Sequence, residues 1–182
     1  MNDDWHETTL GQVARITIGR TPPRKEQKYW TSDLSRPFCT IADMDDITIN
    51  PKREGVTEVA VLDGKAKRVP AGALLMSFKP TIGRVGFAAK DLYPNEAIAW
   101  LDVTDPRVDL RYLAYWLGSR DLTEGSGRAV KGETLNSGSL RAISVSFPSL
   151  EVQRRIVDLM GHLDAHLANL RAEQAAARTL KP

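Results

Sequence analysis

The sequence predicts an α+β protein: a mixed, mainly β domain with short helices, followed by one long C-terminal α-helix. Two observations carry this prediction. Short apolar, strand-like runs separated by Gly and Pro fill most of the chain up to Pro148, a pattern typical of a β-rich core. From Ser149 no proline occurs until Pro182, and apolar residues recur at helical spacing, which favours one continuous helix. We therefore divide the chain into a domain over 1–148 and a helix over 149–182.

The composition is that of an ordinary globular chain. Of its 182 residues, 42% are hydrophobic and 26% are charged, values close to the averages for folded domains. No apolar run approaches the roughly 18 residues that a membrane span requires. The N-terminus lacks the features of a secretory signal, and the single cysteine, Cys39, excludes an internal disulfide. We expect one core domain in a cytoplasmic protein that makes no membrane contact.

The first half of the chain predicts a loop between a short amphipathic stretch and several strands. The stretch covers 10–18, and the prolines of Gly19-Arg20-Thr21-Pro22-Pro23 require a loop because they cannot occupy a helix interior. A short strand over 38–42 is followed by a turn over 43–46. Residues 56–62 alternate weakly, and Asp63-Gly64 predicts a hairpin turn into a partner strand over 65–69.

Further elements follow in the second half. The compact apolar run over 73–78 indicates a buried strand, and 84–88 is again strand-like. Apolar residues at helical spacing from Asp109 to Gly118 predict a short helix, and alternation over 143–147 predicts a final strand.

The long C-terminal helix carries a heptad seam. Its apolar residues step by four, three, four and three along the chain. They are Ile156, Met160, Leu163, Leu167 and Leu170. This run is shorter than the three or four heptads that identify a coiled coil, so a helix packed on its own domain and a helix paired with a partner both remain open.

The net charge of +2 does not by itself indicate a nucleic-acid binder, but the charges are unevenly distributed. Basic residues predominate over 15–36 and 52–90, whereas acidic residues collect over 43–46 and 102–109. This segregation is compatible with a basic face that meets phosphate groups, which supply most of the non-specific affinity for DNA. An ordinary solvated surface explains the same pattern equally well.

Catalytic motifs are absent from the sequence. There is no glycine-rich methyltransferase loop, and Thr21-Pro22-Pro23-Arg24 lacks the amide and the aromatic residue of a methyltransferase motif. No phosphate-binding loop for ATP occurs. His162 and His166 have the spacing of a helical metal pair, but no further ligand completes the site. We expect no catalytic residue, no bound metal and no enzymatic activity.

Six segments of the sequence stand out together. They are Trp5 with 10–14 and 18–22, Tyr29-Trp30 with 38–44, 70–78 with 81–84, 95–98, 132–136, and 147–157. The last segment has a Pro-x-x-Glu-Gln helix entry in which Val152 stands where alanine is more usual. In this order, the six segments resemble the specificity subunits of type I restriction-modification systems.

This resemblance implies a non-catalytic DNA target-recognition domain over 1–148, followed by a conserved helix over 149–182 that pairs in an antiparallel coiled coil. In the family, two such halves read a bipartite DNA target. Methyltransferase (M) subunits methylate adenine with S-adenosylmethionine, and a restriction (R) subunit uses ATP. The chain itself is then expected to bind no cofactor. Its second half would come from another copy in a homodimer, or from sequence beyond Pro182.

On this interpretation, DNA contacts are expected from basic and hydroxyl side chains on loops that project from the sheet. The predicted DNA-binding residues are Arg20, Thr21, Arg24, Lys25, Lys79, Thr81, Arg84, Arg128, Lys131 and Thr134. The heptad seam from Ile156 to Leu170 is expected to pair with a second copy of the helix. Two alternatives remain: the recognition domain of a fused type II methyltransferase or nuclease, and a helical interaction module that binds no DNA.

Overall fold

The computed structural model describes residues 5–120, 122 and 136–179. Within these ranges the chain forms eleven strands and five α-helices. The strands are β1 (His6–Thr9), β2 (Ala14–Ile18), β3 (Trp30–Thr31), β4 (Phe38–Cys39), β5 (Thr48–Ile49), β6 (Gly55–Val56), β7 (Leu74–Phe78), β8 (Ile82–Ala88), β9 (Tyr93–Pro94), β10 (Ile98–Val103) and β11 (Ser144–Phe147). The helices are α1 (Leu10–Val13), α2 (Glu58–Leu62), α3 (Leu110–Gly118), α4 (Ser137–Arg141) and α5 (Leu150–Thr179). The predicted mixed α+β class with a long C-terminal helix is confirmed.

A five-stranded sheet in the order β2-β10-β7-β8-β5 forms the centre of the domain. Strand β10 pairs antiparallel with both β2 and β7, and β7 pairs antiparallel with β8. Every residue of β7 is buried, so both faces of this strand are covered. Its apolar sequence, Leu74-Leu75-Met76-Ser77-Phe78, fits this environment because a strand covered on both faces needs no polar alternation.

Alternate side chains of β7 belong to two different apolar cores. Met76 packs with Leu113 of α3 and Leu10 of α1 on the helical side of the sheet. Leu75 packs with Cys39 and other residues of the segments that connect the strands on the opposite side. This division follows from the period of two along a strand. The sheet is therefore the middle of three layers.

The start of α5 is fixed to the domain by a buried glutamine. Gln153 is fully buried, and its Oε1 accepts the backbone N–H of Asp109 at 2.8 Å. Its Nε2 donates to the carbonyl oxygens of Arg107 at 2.8 Å and Pro148 at 2.7 Å. One side chain therefore connects α5, the cap of α3 and the end of β11. None of the helices described is long and apolar enough to cross a membrane.

Several sequence predictions agree with the structure in type and position. The buried strand predicted over 73–78 is β7, and the strand predicted over 84–88 lies within β8. The helix predicted from Asp109 is α3, where the Asp109 carboxylate accepts the N–H groups of Arg111 and Tyr112. These elements were predictable because the apolar pattern within each of them matches the burial.

Three predictions were wrong. The amphipathic stretch over 10–18 is not one element, because α1 ends at Val13 and strand β2 follows. The strand predicted over 38–42 ends at Cys39, since Thr40 N–H donates to Asp43 Oδ2 at 2.8 Å and starts a 3-10 turn.

The third error concerns the predicted hairpin around Asp63-Gly64. The structure has helix α2 before this turn, because the Thr57 hydroxyl oxygen accepts the N–H of Ala60 and caps the helix. No partner strand follows over 65–69, where only Val69 forms a bridge, to Leu92.

The role of Gln153 predicts a stability effect. The change Gln153→Leu leaves a backbone N–H and two carbonyl groups without their partner. We expect the free energy of unfolding to fall by about 2 kcal/mol or more, since a buried polar group left unpaired costs about 1–3 kcal/mol. Chemical denaturation followed by circular dichroism measures this change. Arg154→Ala, at an exposed neighbouring position, is the control and should stay within about 0.5 kcal/mol of the parent. Equal stability of the two variants would contradict the assigned role.

Candidate nucleic-acid interface

Two of the predicted DNA-binding loops leave the sheet at the same end. Ile18, at the end of β2, pairs with Ala99 near the start of β10. On the other side of β10, Ile98 pairs with Ser77 near the end of β7. The connection after β2 and the turn from β7 to β8 therefore emerge side by side. We call this the loop end of the sheet, and the connection over 19–26 the first loop.

The backbone of the first loop is anchored on the segment that precedes β10. Gly19 N–H donates to Ile98 O at 3.0 Å, and Arg20 N–H donates to Pro94 O at 2.9 Å. A Cβ at Gly19 would lie 2.2 Å from the carbonyl oxygens of Pro94 and Asn95, so only glycine permits this approach. The position of the loop is therefore set by backbone contacts.

The side chain of Thr21 extends this anchor. Its hydroxyl donates to the Glu96 carboxylate, which lies on the same segment before β10. Thr21 was predicted to contact DNA, and the structure places its hydroxyl in a contact within the protein. Arg20 and Lys25 are both exposed in the same loop.

The turn between β7 and β8 is the second element of the loop end. Gly83 has a φ of 85°, a left-handed conformation that favours glycine. The Arg84 N–H donates to the hydroxyl oxygen of buried Ser77 at 3.1 Å. This hydrogen bond links the two strands on either side of the turn. Thr81 is exposed, and Lys79 is half-buried with its Nζ 5.2 Å from the centre of the Phe78 ring. The turn thus presents Lys79 and Thr81 beside the first loop.

Arg24 is engaged within the protein. Its guanidinium lies 3.8 Å from the centre of the Trp30 ring and 5.2 Å from that of Phe38. Its Nη1 lies 2.7 Å from Glu54 Oε2. The arginine therefore ties the first loop to the segments that carry β4 and β6, and its charge is already balanced by a carboxylate.

Arg84 is held in a similar way. Its guanidinium forms an ion pair with Asp45 and donates to the carbonyl oxygen of Ile41 at 3.3 Å. These contacts connect β8 to the 3-10 turn after β4. Of the described residues predicted to contact DNA, Arg24 and Arg84 are thus the two whose charges are neutralised inside the domain.

Several basic side chains on the first loop, on the β7–β8 turn and in the segment after α2 have no carboxylate partner within the described part of the chain. Arg20 donates to the carbonyl oxygen of Gly64 at 2.6 Å, which leaves its positive charge uncompensated. Lys65 follows Gly64 directly and is exposed, and Lys67 is half-buried two positions further. The cations that share this property are Arg20, Lys25, Lys65, Lys67 and Lys79.

Lys65 and Lys67 were not among the predicted contacts. They lie in the basic stretch over 52–90, but the predicted hairpin placed them on a strand instead of at the loop end. The contact between Arg20 and Gly64 joins positions 44 residues apart, so no local pattern in the sequence could indicate it.

A tyrosine near the first loop forms a hydrogen bond with the residue that follows α2. The hydroxyl of buried Tyr29 donates to Asp63 Oδ2 at 2.9 Å. Loss of hydration raises the pKa of Tyr29 above its ordinary value, and the neighbouring carboxylate acts in the same direction. Tyr29 therefore remains a neutral hydrogen-bond donor that fixes the end of α2 to the 3-10 turn after the first loop.

The third predicted group, Arg128, Lys131 and Thr134, lies outside the described residues. Leu122 is the last described residue before them, and its Cδ1 is 3.7 Å from the position of a Cβ on Gly83. The chain is therefore close to the loop end at Leu122.

The predicted seam on α5 divides into a packed and an exposed part. Ile156 packs against the helical core of the domain, and Met160 is half-buried. By contrast, Leu163, Leu167 and Leu170 are 48%, 48% and 47% exposed. The structure adds Leu159, which is 62% exposed and lies one helical turn before Leu163. From Leu159 to Leu170, α5 thus carries an apolar stripe that its own domain leaves largely uncovered.

The described residues contain no group of three or more His, Cys, Asp or Glu side chains that could hold a metal ion. The exposed His162 shares a hydrogen bond with the Asp158 carbonyl oxygen at 2.7 Å, within its own helix. The loop end combines uncompensated cations with hydroxyl and backbone groups, a set suited to binding phosphates and base edges.

Comparison with known proteins finds one family over nearly the whole chain. The family model described as the type I restriction modification DNA specificity domain matches residues 2–177. The specificity subunit of the type I restriction enzyme MjaIX from Methanocaldococcus jannaschii is 26% identical over 172 residues, which cover 91% of this chain and 39% of that protein. The EcoR124I/EcoR124II specificity subunit from Escherichia coli is 23% identical, over 86% of this chain and 40% of that protein.

Solved structures show the same fold. The crystal structure of the HsdS subunit from Thermoanaerobacter tengcongensis matches with a TM-score of 0.72 and 24% identity, over 96% of this chain and 41% of that chain. A structure described as showing the assembly and conformational transition of a type I restriction-modification system matches with a TM-score of 0.76 and 23% identity, over 98% and 43%.

The relatives and the solved structures match this chain over a similar fraction of their own length. The chain spans about 40% of the length of the curated relatives, and each relative is a specificity subunit. The family model alone covers far more than half of the chain. The chain belongs to the family of type I restriction-modification DNA specificity domains.

Proposed function

We propose that this chain is a DNA-recognition module that reads one half of a bipartite target for a type I restriction-modification complex. The observation that carries the proposal is the group of uncompensated cations at the loop end of the sheet. Phosphates bind such cations at little cost, because no internal ion pair has to be broken first. Arg20 and Lys25 on the first loop, and Lys79 with Thr81 on the β7–β8 turn, are the described side chains best placed for this role.

The proposed partners follow from the family. Duplex DNA lies against the loop end, and M subunits methylate adenine at the site that this module selects. An R subunit carries out restriction in the same complex. In this arrangement S-adenosylmethionine and ATP bind to the partner subunits, and the chain contributes recognition without catalysis. The lack of methyltransferase and ATP-binding motifs in the sequence supports this division of labour.

The exposed stripe on α5 supports a second part of the proposal. Leu159, Leu163, Leu167 and Leu170 present apolar surface that the domain does not cover. Burial of such side chains is favourable at roughly 25 cal/mol per Å². An antiparallel pair of α5 helices in a homodimer buries the stripe and holds two loop ends at a fixed distance, as two half-sites require.

The role of the first loop predicts a change in salt dependence. Arg20→Ala should weaken binding to duplex DNA and reduce the slope of log K against log salt by about 0.9 for each phosphate that Arg20 neutralises in the parent chain. Fluorescence anisotropy with a labelled random-sequence duplex, repeated over a salt series, measures this slope. Arg15→Ala is the matched control, because Arg15 is exposed on β2 and paired with Asp102. If the two variants show the same slope as the parent chain, Arg20 lies outside the interface.

The internal contacts of Arg24 predict a different result. Arg24→Ala should lower the melting temperature, because it removes the ring stacking and the ion pair with Glu54. The slope of log K against log salt, which we call the salt slope, should equal that of the parent chain, since this guanidinium does not hold a phosphate. Thermal unfolding and the same anisotropy series test both points. A reduced slope at unchanged melting temperature would instead assign Arg24 to direct DNA contact.

Pairing through α5 predicts concentration-dependent self-association. Sedimentation velocity over a concentration series should show a dimer for the parent chain and a monomer for Leu163→Glu, because a charge in a buried seam is strongly unfavourable. Asn169→Glu, at an exposed position beside the stripe, serves as the control and should still dimerise. A parent chain that stays monomeric at every concentration would exclude the homodimer.

A further inference from the structure

The end of α2 exposes an apolar side chain beside the first loop. Leu62 is the last residue of α2 and is 78% exposed, the highest value among the large hydrophobic residues of the described chain. The turn that follows contains Gly64, whose carbonyl oxygen accepts the guanidinium of Arg20 at 2.6 Å. Leu62 therefore projects from a segment that is in direct contact with the proposed DNA-binding loop.

Several contacts hold this segment against the domain. Asp63 accepts the hydroxyl of buried Tyr29 at 2.9 Å, and its carboxylate lies 3.7 Å from Lys28 Nζ. Lys65 N–H donates to Ala60 O at 2.8 Å, which closes the turn after α2. Ala66 is buried in a cluster with Tyr93. Leu62 is thus exposed while the residues that follow it are anchored to the domain.

Leu62 is followed in the chain by basic residues that lack a carboxylate partner among the described residues. Lys65 and Lys67 have no carboxylate partner in the described ranges. Arg20, which donates to the carbonyl oxygen of Gly64, also lacks one there. Two acidic residues lie on α2 and the turn after it, and both have partners: Asp63 contacts Tyr29 and Lys28, and Glu58 forms an ion pair with Arg36 at 3.5 Å. An exposed apolar side chain followed by cations without carboxylate partners in the described chain suits a duplex, whose backbone is anionic and whose grooves expose apolar groups such as the thymine methyl.

We propose that the segment over 62–67 is a second DNA-contacting element, in which Lys65 and Lys67 bind phosphates and Leu62 makes an apolar contact in the adjacent groove. This inference rests on the proposed DNA-recognition function and extends it beyond the loops that the sequence indicated. The contact between Arg20 and Gly64 makes the segment and the first loop one continuous surface. A duplex bound to Arg20 therefore lies within reach of Lys65.

The test uses the full chain and a labelled random-sequence duplex in anisotropy titrations over a salt series. Lys65→Ala and Lys67→Ala should each reduce the salt slope by about 0.9. Lys90→Ala is the matched control, because Lys90 is exposed beyond the far end of β8 and should leave the slope unchanged. Leu62→Glu adds a negative charge at a site with almost no packing, and should weaken binding roughly tenfold or more at low salt without changing the melting temperature.

The outcomes separate this inference from the function on which it rests. If Arg20→Ala reduces the slope while the Lys65, Lys67 and Leu62 variants bind like the parent chain, DNA recognition stands and the second element is excluded. That result would also leave the 62–67 surface to a partner other than DNA. If the parent chain shows no salt-dependent binding, both proposals fail. Reduced slopes for both lysine variants, with normal binding by Lys90→Ala, support the second element.

Discussion

The pairing of β10 with two antiparallel neighbours determines where the candidate DNA-binding loops lie. Because β2 and β7 both run against β10, the chain leaves β2 and turns from β7 to β8 at the same end of the sheet. The close approach of Gly19 to the carbonyl oxygens of Pro94 and Asn95 then fixes the first loop at this end. Substitution of this glycine would force apart the segments that define the loop end.

The internal ion pairs determine which cations near the loop end have a carboxylate partner. The two arginines that link separate segments, Arg24 and Arg84, are balanced by Glu54 and Asp45. Each of these contacts joins two separate segments of the domain. The cations without such partners in the described ranges, Arg20 among them, lie on the outer surface. The proposed function assigns DNA binding to the cations that lack a carboxylate partner in these ranges.

The elements that were predictable from the sequence are those in which the pattern of apolar residues indicates the type of secondary structure. Strand β7 and helix α3 have apolar patterns that match their burial, and the long α5 has uninterrupted helical spacing. Helix α2 was missed because its five residues are too few to show a period. At the site, the loops were predictable from Gly and Pro, but the partners of Arg24 and Arg84 lie 30 and 39 residues away. Only the fold reveals which cations are neutralised, and hence that Lys65 belongs with Arg20.

Hydrogen exchange of the full chain, measured by mass spectrometry with and without duplex DNA, would locate the DNA-binding surface in a single experiment. We expect slower exchange of amides in the first loop, in the segment over 62–67 and in the turn between β7 and β8. Amides in β1 and β11, on the helical side of the domain, should exchange at the same rate in both samples. Protection confined to β1, β11 or the start of α5 would contradict recognition of DNA by the loop end of the sheet.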